Sequence, residues 1–383
     1  MKMQTVPLSE LGEVVSGSTP KTSVPEFWDG DIPWITPADL SNNEGIYFHG
    51  TPKKITKVGF DSCSSSMLPA GSILFSSRAP IGHCALTTYP ACTNQGFKNV
   101  VPNKRLDPVY GYFALKFLTS TIVAMGRGAT FAEINKEIFE SVQIPYCDLP
   151  EQRRVAGRLE QADRLVRTRR YALELTDTFL PSAFRQVFGP RLEAGPFRAF
   201  GELVKITGGG TPARERPEFY KGRIPWLTSK DMKGDYIWDT EEHIIEKAIQ
   251  ESATNLVPAG SILVVVKSKV LMHRLPVAIA KVPLCHGQDI KSIQCSEALQ
   301  PEFARFVLKF HEKRLLNLAR GANTEGLTLP MLQELPVPTV SSSEQECFVE
   351  LVKRHERLRA VQREALRQAE HLFATLLHRA FSG

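Results

Sequence analysis

The chain has 383 residues, of which 42% are apolar and 23% charged, the balance of an ordinary globular protein long enough for more than one core. No run of eighteen apolar residues and no signal-like N-terminus is present, so a membrane span and secretion are not expected and a cytoplasmic location is. A net charge of +6 permits a nucleic-acid partner without demanding one, and seven cysteines with no Cys-x-x-Cys pair read as reduced, mostly buried thiols rather than a metal site.

In chain order, residues 1–150 read as a strand-rich module, with short apolar runs such as 73–75 set between Gly, Pro and Asn turns. One helix interrupts it at 108–121, opened by a proline. A proline-bearing hinge at 145–150 leads through Glu151-Gln152 into a long amphipathic helix, 151–190. A second strand-rich module, 197–343, carries runs at 262–266 and 277–280 and a helix at 301–319. It ends in a Pro- and Ser-rich hinge, 336–343, and Glu344-Gln345 opens a second long helix, 344–383.

The first helix places Val155, Leu159, Ala162, Val166, Leu173, Leu180 and Val187 on steps of three and four, with Arg169 and Thr176 as polar positions in the series. The matching positions of the second are Phe348, Val352, His355, Arg359, Leu366, Phe373 and Ala380. Since one helix leaves module one and the other leaves module two, the pair must run antiparallel if it packs, as a strut of roughly 50 to 57 Å. That exceeds one turn of B-DNA, about 34 Å.

The two modules repeat each other. Gly17-Ser-Thr-Pro through Ile-Pro-Trp34 returns 192 residues later as Gly209-Gly-Thr-Pro through Ile-Pro-Trp226. The Pro-Ala-Gly-Ser-Ile-Leu block ending at Leu74 recurs at Leu263; Asn94-Gln95-Gly-Phe-Lys98 sits against Gly287-Gln288-Asp-Ile-Lys291, and Gly126-Arg127-Gly against Ala319-Arg320-Gly. Repetition on this scale points to duplication of a whole module. Within the repeated blocks, Thr-Pro and Ile-Pro fix turns while Phe27, Trp34, Phe219 and Trp226 are expected to fill core.

Recognition is sought where the copies differ. Ser77-Arg78-Ala-Pro-Ile-Gly becomes Lys267-Ser-Lys269-Val-Leu-Met, a basic loop after the same strand but with other geometry. Arg forks onto an acceptor pair whereas Lys is a mobile point charge, so the exchange would alter sequence preference if the loop meets DNA; the alternative is a solvated loop. Arg127 and Arg320, beside glycines that let a phosphate approach the backbone, are candidates of the same kind, as are Asn94, Lys98, Gln288 and Lys291. The arginine run at 164–170 reads as an assembly face.

Catalytic signatures are missing: there is no Gly-x-Gly-x-x-Gly, Walker loop, His-Glu-x-x-His, Gly-x-Ser-x-Gly, or Asn/Asp-Pro-Pro-Tyr box. Asp231, Asp235, Asp239 and Glu241 offer a scattered acidic set that could bind magnesium or merely line a turn.

The ordered set of Gly-x-Thr-Pro, Ile-Pro-Trp, Pro-Ala-Gly-Ser-Ile-Leu, Asn-Gln-Gly and Ile/Val-Pro followed by Glu-Gln resembles the specificity subunits of type I restriction-modification enzymes across nearly the whole chain. That resemblance implies an α+β fold: two strand-rich target-recognition domains in tandem, separated by and packed with two long antiparallel coiled-coil helices. It implies double-stranded DNA as partner, each domain reading half of a split target while the helices set the gap. It also implies docking of two methyltransferase (modification) subunits and, in a full enzyme, ATP-dependent restriction subunits. No active site, cofactor or metal is implied for this chain; S-adenosylmethionine, ATP and magnesium would belong to the partners. The second copy departs from the pattern, lacking Ser-Arg-x-x-Ile-Gly and replacing the segment at 129–135, so a shared base-contacting role there is in doubt. Two other classes stay open at this point: a nuclease or methyltransferase with an unrecognised site, and a scaffold that does not touch DNA.

Overall fold

The computed structural model describes residues 4–78, 80–126, 133–321 and 326–382. The chain divides into two compact units, one of residues 1–172 with 362–383, the other of residues 173–361. The division falls inside the two long helices, Leu149–Ala194 and Ser342–Phe381. Both start two residues earlier than their sequence pattern suggests, and the first runs on through Pro181 and Pro190.

In the first unit a five-stranded sheet has the order Gly12–Ser16, Lys98–Pro102, Ile73–Phe75, Cys84–Thr87, Tyr47–Phe48. A three-stranded sheet, Lys54–Ile55, Trp28–Ile35, Cys92–Thr93, lies beside it, and Gln4–Pro7 pairs antiparallel with Gln143–Tyr146. The core gathers Phe75, Tyr110, Phe113 and Phe139 from the module, Ala156 and Leu159 from the first long helix, and Phe381 from the second. Leu159 pairs at this level with the far end of the other helix, and Arg170 donates to the Glu370 carboxylate at 2.8 Å, so the helical segments run antiparallel.

The second unit repeats the plan strand for strand. Its five-stranded sheet is Val204–Gly208, Ile290–Cys295, Ile262–Val265, Val277–Ala280, Tyr236–Ile237; its three-stranded sheet is Glu242–Ile244, Ile224–Leu227, Cys285–His286; and Phe197–Ala199 pairs with Pro336–Pro338. Arg191 donates to Glu344 at 2.7 Å while Arg359 pairs with Asp177 and His355 Nε2 donates to the Thr176 carbonyl at 2.8 Å, again antiparallel.

Leu159, Val166, Leu180, Phe348 and Val352 are buried, and Val155, Leu173, Leu366 and Phe373 half-buried. Val187 is a correction: it stands 58% exposed, and the buried series is Leu180, Phe184, Phe188, Leu192. A step of four replaces the alternating three and four because this stretch packs on the module helix Pro301–Phe310 as well as on the other long helix. Phe184 lies 5.2 to 5.7 Å from the rings of Phe303, Phe306 and Phe348. The helix expected at 301–319 breaks at His311 into Pro301–Phe310 and Glu312–Gly321, with His311 Nε2 donating to the Pro336 carbonyl at 3.1 Å.

The repeated Glu-Gln has a structural reason that spacing did not reveal. Gln152 is fully buried; its Oε1 accepts from the Asp107 N–H at 2.8 Å and its Nε2 donates to the Arg105 and Cys147 carbonyls. Gln345 does the same in the second unit, accepting from the Gln300 N–H at 2.9 Å and donating to the Ala298 carbonyl. Each glutamine thus ties the start of a long helix to the start of a module helix, satisfying backbone groups that a helix terminus leaves open.

Candidate nucleic-acid interface

In each unit the repeated blocks that lie far apart in the chain meet at one end of the sheets. In the first, the Ser18 N–H donates to the Thr93 carbonyl (2.9 Å), the Ser77 N–H to Gly96 (2.8 Å) and the Ile134 N–H to Ser77 (3.0 Å). In the second, the Gly210 N–H donates to the His286 carbonyl (3.0 Å), the Val266 N–H to Asp289 (2.8 Å) and the Leu327 N–H to Val266 (2.7 Å). The Gly-x-Thr-Pro turn, the turn at 94–96 or 287–289, the loop leaving the central strand, and a segment after the module helix therefore form one composite surface. Backbone amides, satisfied by each other, hold these loops rigid.

The tryptophans of the Ile-Pro-Trp blocks build this surface from below. Trp34 and Trp226 are 5% and 3% exposed, and their indole N–H groups donate to Ser18 and Gly210 carbonyls at 3.0 and 3.1 Å. Phe219 is buried as expected, whereas Phe27 is only half-buried. The Ile-Pro-Trp block is thus scaffold.

The candidate contact residues divide. Gln288, Lys267 and Lys269 are exposed, and Arg78 and Lys291 half-buried, with Lys291 lying over Gly208. Asn94 is partly spent on the turn itself, its Oδ1 accepting from the Gly96 N–H at 2.9 Å. Lys98 is a correction: it is 7% exposed, and burial holds its ammonium below the usual lysine range, with Glu133 opposing and Arg78 adding to that effect. Its strand position pairs with Ser16 and turns the side chain inward, so it is poorly placed to meet a phosphate. Arg320 is exposed and donates to the Met272 carbonyl at 2.5 Å, anchoring a helix end to the basic loop. Arg127 lies outside the described residues.

Three of the four acidic candidates take structural tasks, while Glu241 lines a cleft beside Trp226 together with Asp231. Asp231 accepts from the Thr228 N–H and hydroxyl, Asp235 pairs with buried Arg305 at 2.8 Å, and Asp239 pairs with His243 at 2.7 Å. Among the described residues no cluster of three or more His, Cys, Asp or Glu is placed to hold a metal. All seven cysteines are free thiols; burial pushes Cys84 and Cys92 up to about 12 and Cys285 to about 11, while Cys347 is exposed. No helix among the described residues is long and apolar enough to cross a membrane.

A feature that the sequence did not mark is the pairing of Arg214 with Glu242, two hydrogen bonds of 2.8 and 2.9 Å, with the guanidinium 4.4 Å from the Tyr220 ring and 4.9 Å from that of Trp226. Only the register of Glu242 opposite Trp226 brings the two together.

One buried group distinguishes the units electrically. Where Thr93 accepts from the Asn99 amide at 2.8 Å, the second module has His286, fully buried, its Nδ1 donating to the Gly287 carbonyl at 3.1 Å. Burial lowers the pKa of His286, and of His311, below 6.5. In the window below 6.5 the unfolded chain binds the proton first, so stability is full above that pH and falls as the solution is acidified. The second unit is therefore expected to lose melting temperature between about pH 7 and 5, and His286→Thr with His311→Gln to flatten that slope. An unchanged slope in calorimetry of the double variant would refute this assignment.

A family model for the type I restriction modification DNA specificity domain matches residues 1–175 and again 196–370. The chain belongs to this family. The duplicated module is thus the family's domain occurring twice in one chain. The MjaIX type I restriction enzyme specificity subunit of Methanocaldococcus jannaschii is 30% identical over 279 residues, 67% of this chain and 64% of that protein. The EcoR124I/EcoR124II specificity subunit of Escherichia coli is 32% identical over 165 residues, 42% of this chain and 41% of that one. The chain thus spans less than two thirds of either relative's length. In fold, it is similar over its whole length to a chain from a study of complex assembly and conformational transition of the type I R-M system, with TM-score 0.66, 18% identity and 99% of that chain covered. The type I S subunit from M. genitalium gives 0.56 at 17% identity, covering 96% of that chain.

Proposed function

We propose that this family member is the DNA-specificity subunit of a type I restriction-modification complex. Each module, 1–150 and 197–343, reads one half of a bipartite duplex target, and the long helices set the gap and dock two methyltransferase subunits. The observation that carries this reading is that four dispersed sequence blocks assemble the same loop surface in both modules, and that the copies differ on it (half-buried Arg78 against exposed Lys267 and Lys269, half-buried Asn94 against buried Gly287). Two similar scaffolds with different tips suit two different half-sites. Phosphate contacts would supply affinity and base-edge contacts choice. The chain itself is read as non-catalytic, acting in the cytoplasm, with S-adenosylmethionine, ATP and magnesium belonging to methyltransferase and restriction partners.

Footprinting of the chain with its methyltransferase subunits tests this: a bipartite protected sequence is expected, with affinity falling steeply as salt rises. Exchanging residues 1–150 for another family module should change one half of the protected sequence and leave the other intact. Change in both halves, or a methyl or nuclease activity of the isolated chain on DNA, would defeat the assignment.

A further inference from the structure

We infer that Arg214 is a base-reading residue peculiar to the second module, held ready by Glu242 to fork onto an acceptor pair of a guanine edge. The inference rests on the DNA-specificity reading above.

Three observations lead to it. First, the guanidinium is fixed before any ligand arrives: Glu242 takes Nη1 and Nη2 at 2.8 and 2.9 Å, and the Tyr220 and Trp226 rings lie 4.4 and 4.9 Å away. Its side chain is nevertheless half-exposed, and the two bonds leave the Nε–H and the outer amino hydrogens unclaimed by Glu242. An arginine held in one geometry loses little freedom on meeting a planar acceptor pair, which is the advantage of a preorganised fork.

Second, Arg214 borders a cleft of about 350 Å³ that also takes in Gln288 and Thr211, from the turns that form the composite surface. The cleft lies at the proposed reading end of the module, and Gln288 is itself exposed there.

Third, the charge of that cleft selects the kind of ligand. Asp231, Glu241, Glu242 and Asp289 line it against Arg214 and Lys230, so a phosphate entering would meet more carboxylates than cations. A base edge carries no net charge and escapes that repulsion. Guanine presents O6 and N7 as adjacent acceptors in the major groove, the pair that an arginine fork matches.

The first module does not contain this device. At the matching repeat position Arg214 is replaced by Thr22, and the strand position of Glu242 opposite the tryptophan is taken by Lys53, whose carbonyl accepts from the Trp34 N–H. Both partners differ together, as expected of a contact belonging to one half-site.

The test is selection of bound duplexes from a random DNA pool by the chain assembled with its methyltransferase subunits, repeated for Arg214→Ala, Arg214→Lys and Glu242→Gln. The parent is expected to select a guanine at one position of one half-site. Both arginine variants should reduce that preference roughly 10- to 100-fold, the range of a bidentate base contact. Glu242→Gln should reduce it less, and the slope of binding against salt should not change. The other half-site, unaltered in the same molecules, controls for folding. A uniform loss across all sequences with a salt slope smaller by about one would make Arg214 a phosphate contact and overturn the inference. An unaltered preference would overturn it equally. If the parent selects no sequence at all, the DNA-specificity reading fails first and this inference falls with it.

Discussion

Phe184→Ala is expected to destabilise the second unit by about 3 to 5 kcal/mol, the usual cost of deleting a buried phenyl ring. For a unit of this size that is a fall of roughly 6 to 20 °C in its melting temperature. Phe184 is 1% exposed and sits among Phe188, Phe303, Phe306 and Phe348, so its removal leaves a cavity bounded by other rings that cannot all collapse into it. Two of those neighbours come from the module helix and one from the second long helix, so the same substitution loosens the hold of module on helices. The matching residue in the first unit is Leu377, only half-buried against its core. Leu377→Ala should therefore cost clearly less. Calorimetry of the two variants checks both statements, and equal effects would show that the aromatic cluster is not the anchor.

Gly17→Ala and Gly209→Ala are expected to cost about 3 kcal/mol or more each, and each to blur one half of the DNA target. A methyl group on Gly17 would fall 1.9 Å from the Asn94 carbonyl oxygen and 2.4 Å from the Thr93 hydroxyl. On Gly209 it would fall 2.1 Å from the His286 carbonyl oxygen. The two carbonyl oxygens are backbone atoms of turns that hydrogen bonds join to the Gly-x-Thr-Pro turn, so relief requires the composite surface to open. Thermal unfolding combined with duplex selection separates the two effects: each variant should lose preference in a different half-site. Loss of stability without any change in selection would place the reading surface elsewhere.

Much of the fold was legible because it is written locally. The long helices announce themselves by periodic apolar residues and by few breakers, Pro181 and Pro190 in the first being carried within the helix, and their antiparallel course, if they pack, follows from chain order alone. The repeat predicts two modules of one plan, and the sheets do share strand order. Val187 failed because a heptad assumes one packing partner, whereas the residues around Phe184 serve two. Of the candidate contacts, Gln288, Lys267 and Lys269 proved exposed, but Lys98 did not, since a lysine in a motif carries no sign of which face of its strand is covered.

A duplicated module joined to two long helices, and the places where the copies diverge, can be read from the residues alone. Those properties depend on short-range spacing and self-similarity, which one chain displays in full. Tertiary structure decided which half of each long helix packs with which module, why Gln152 and Gln345 recur, and that Arg214 faces Glu242. Each of these depends on residues far apart in the chain being brought together by strand register and helix packing, and such contacts leave no periodic trace in the sequence.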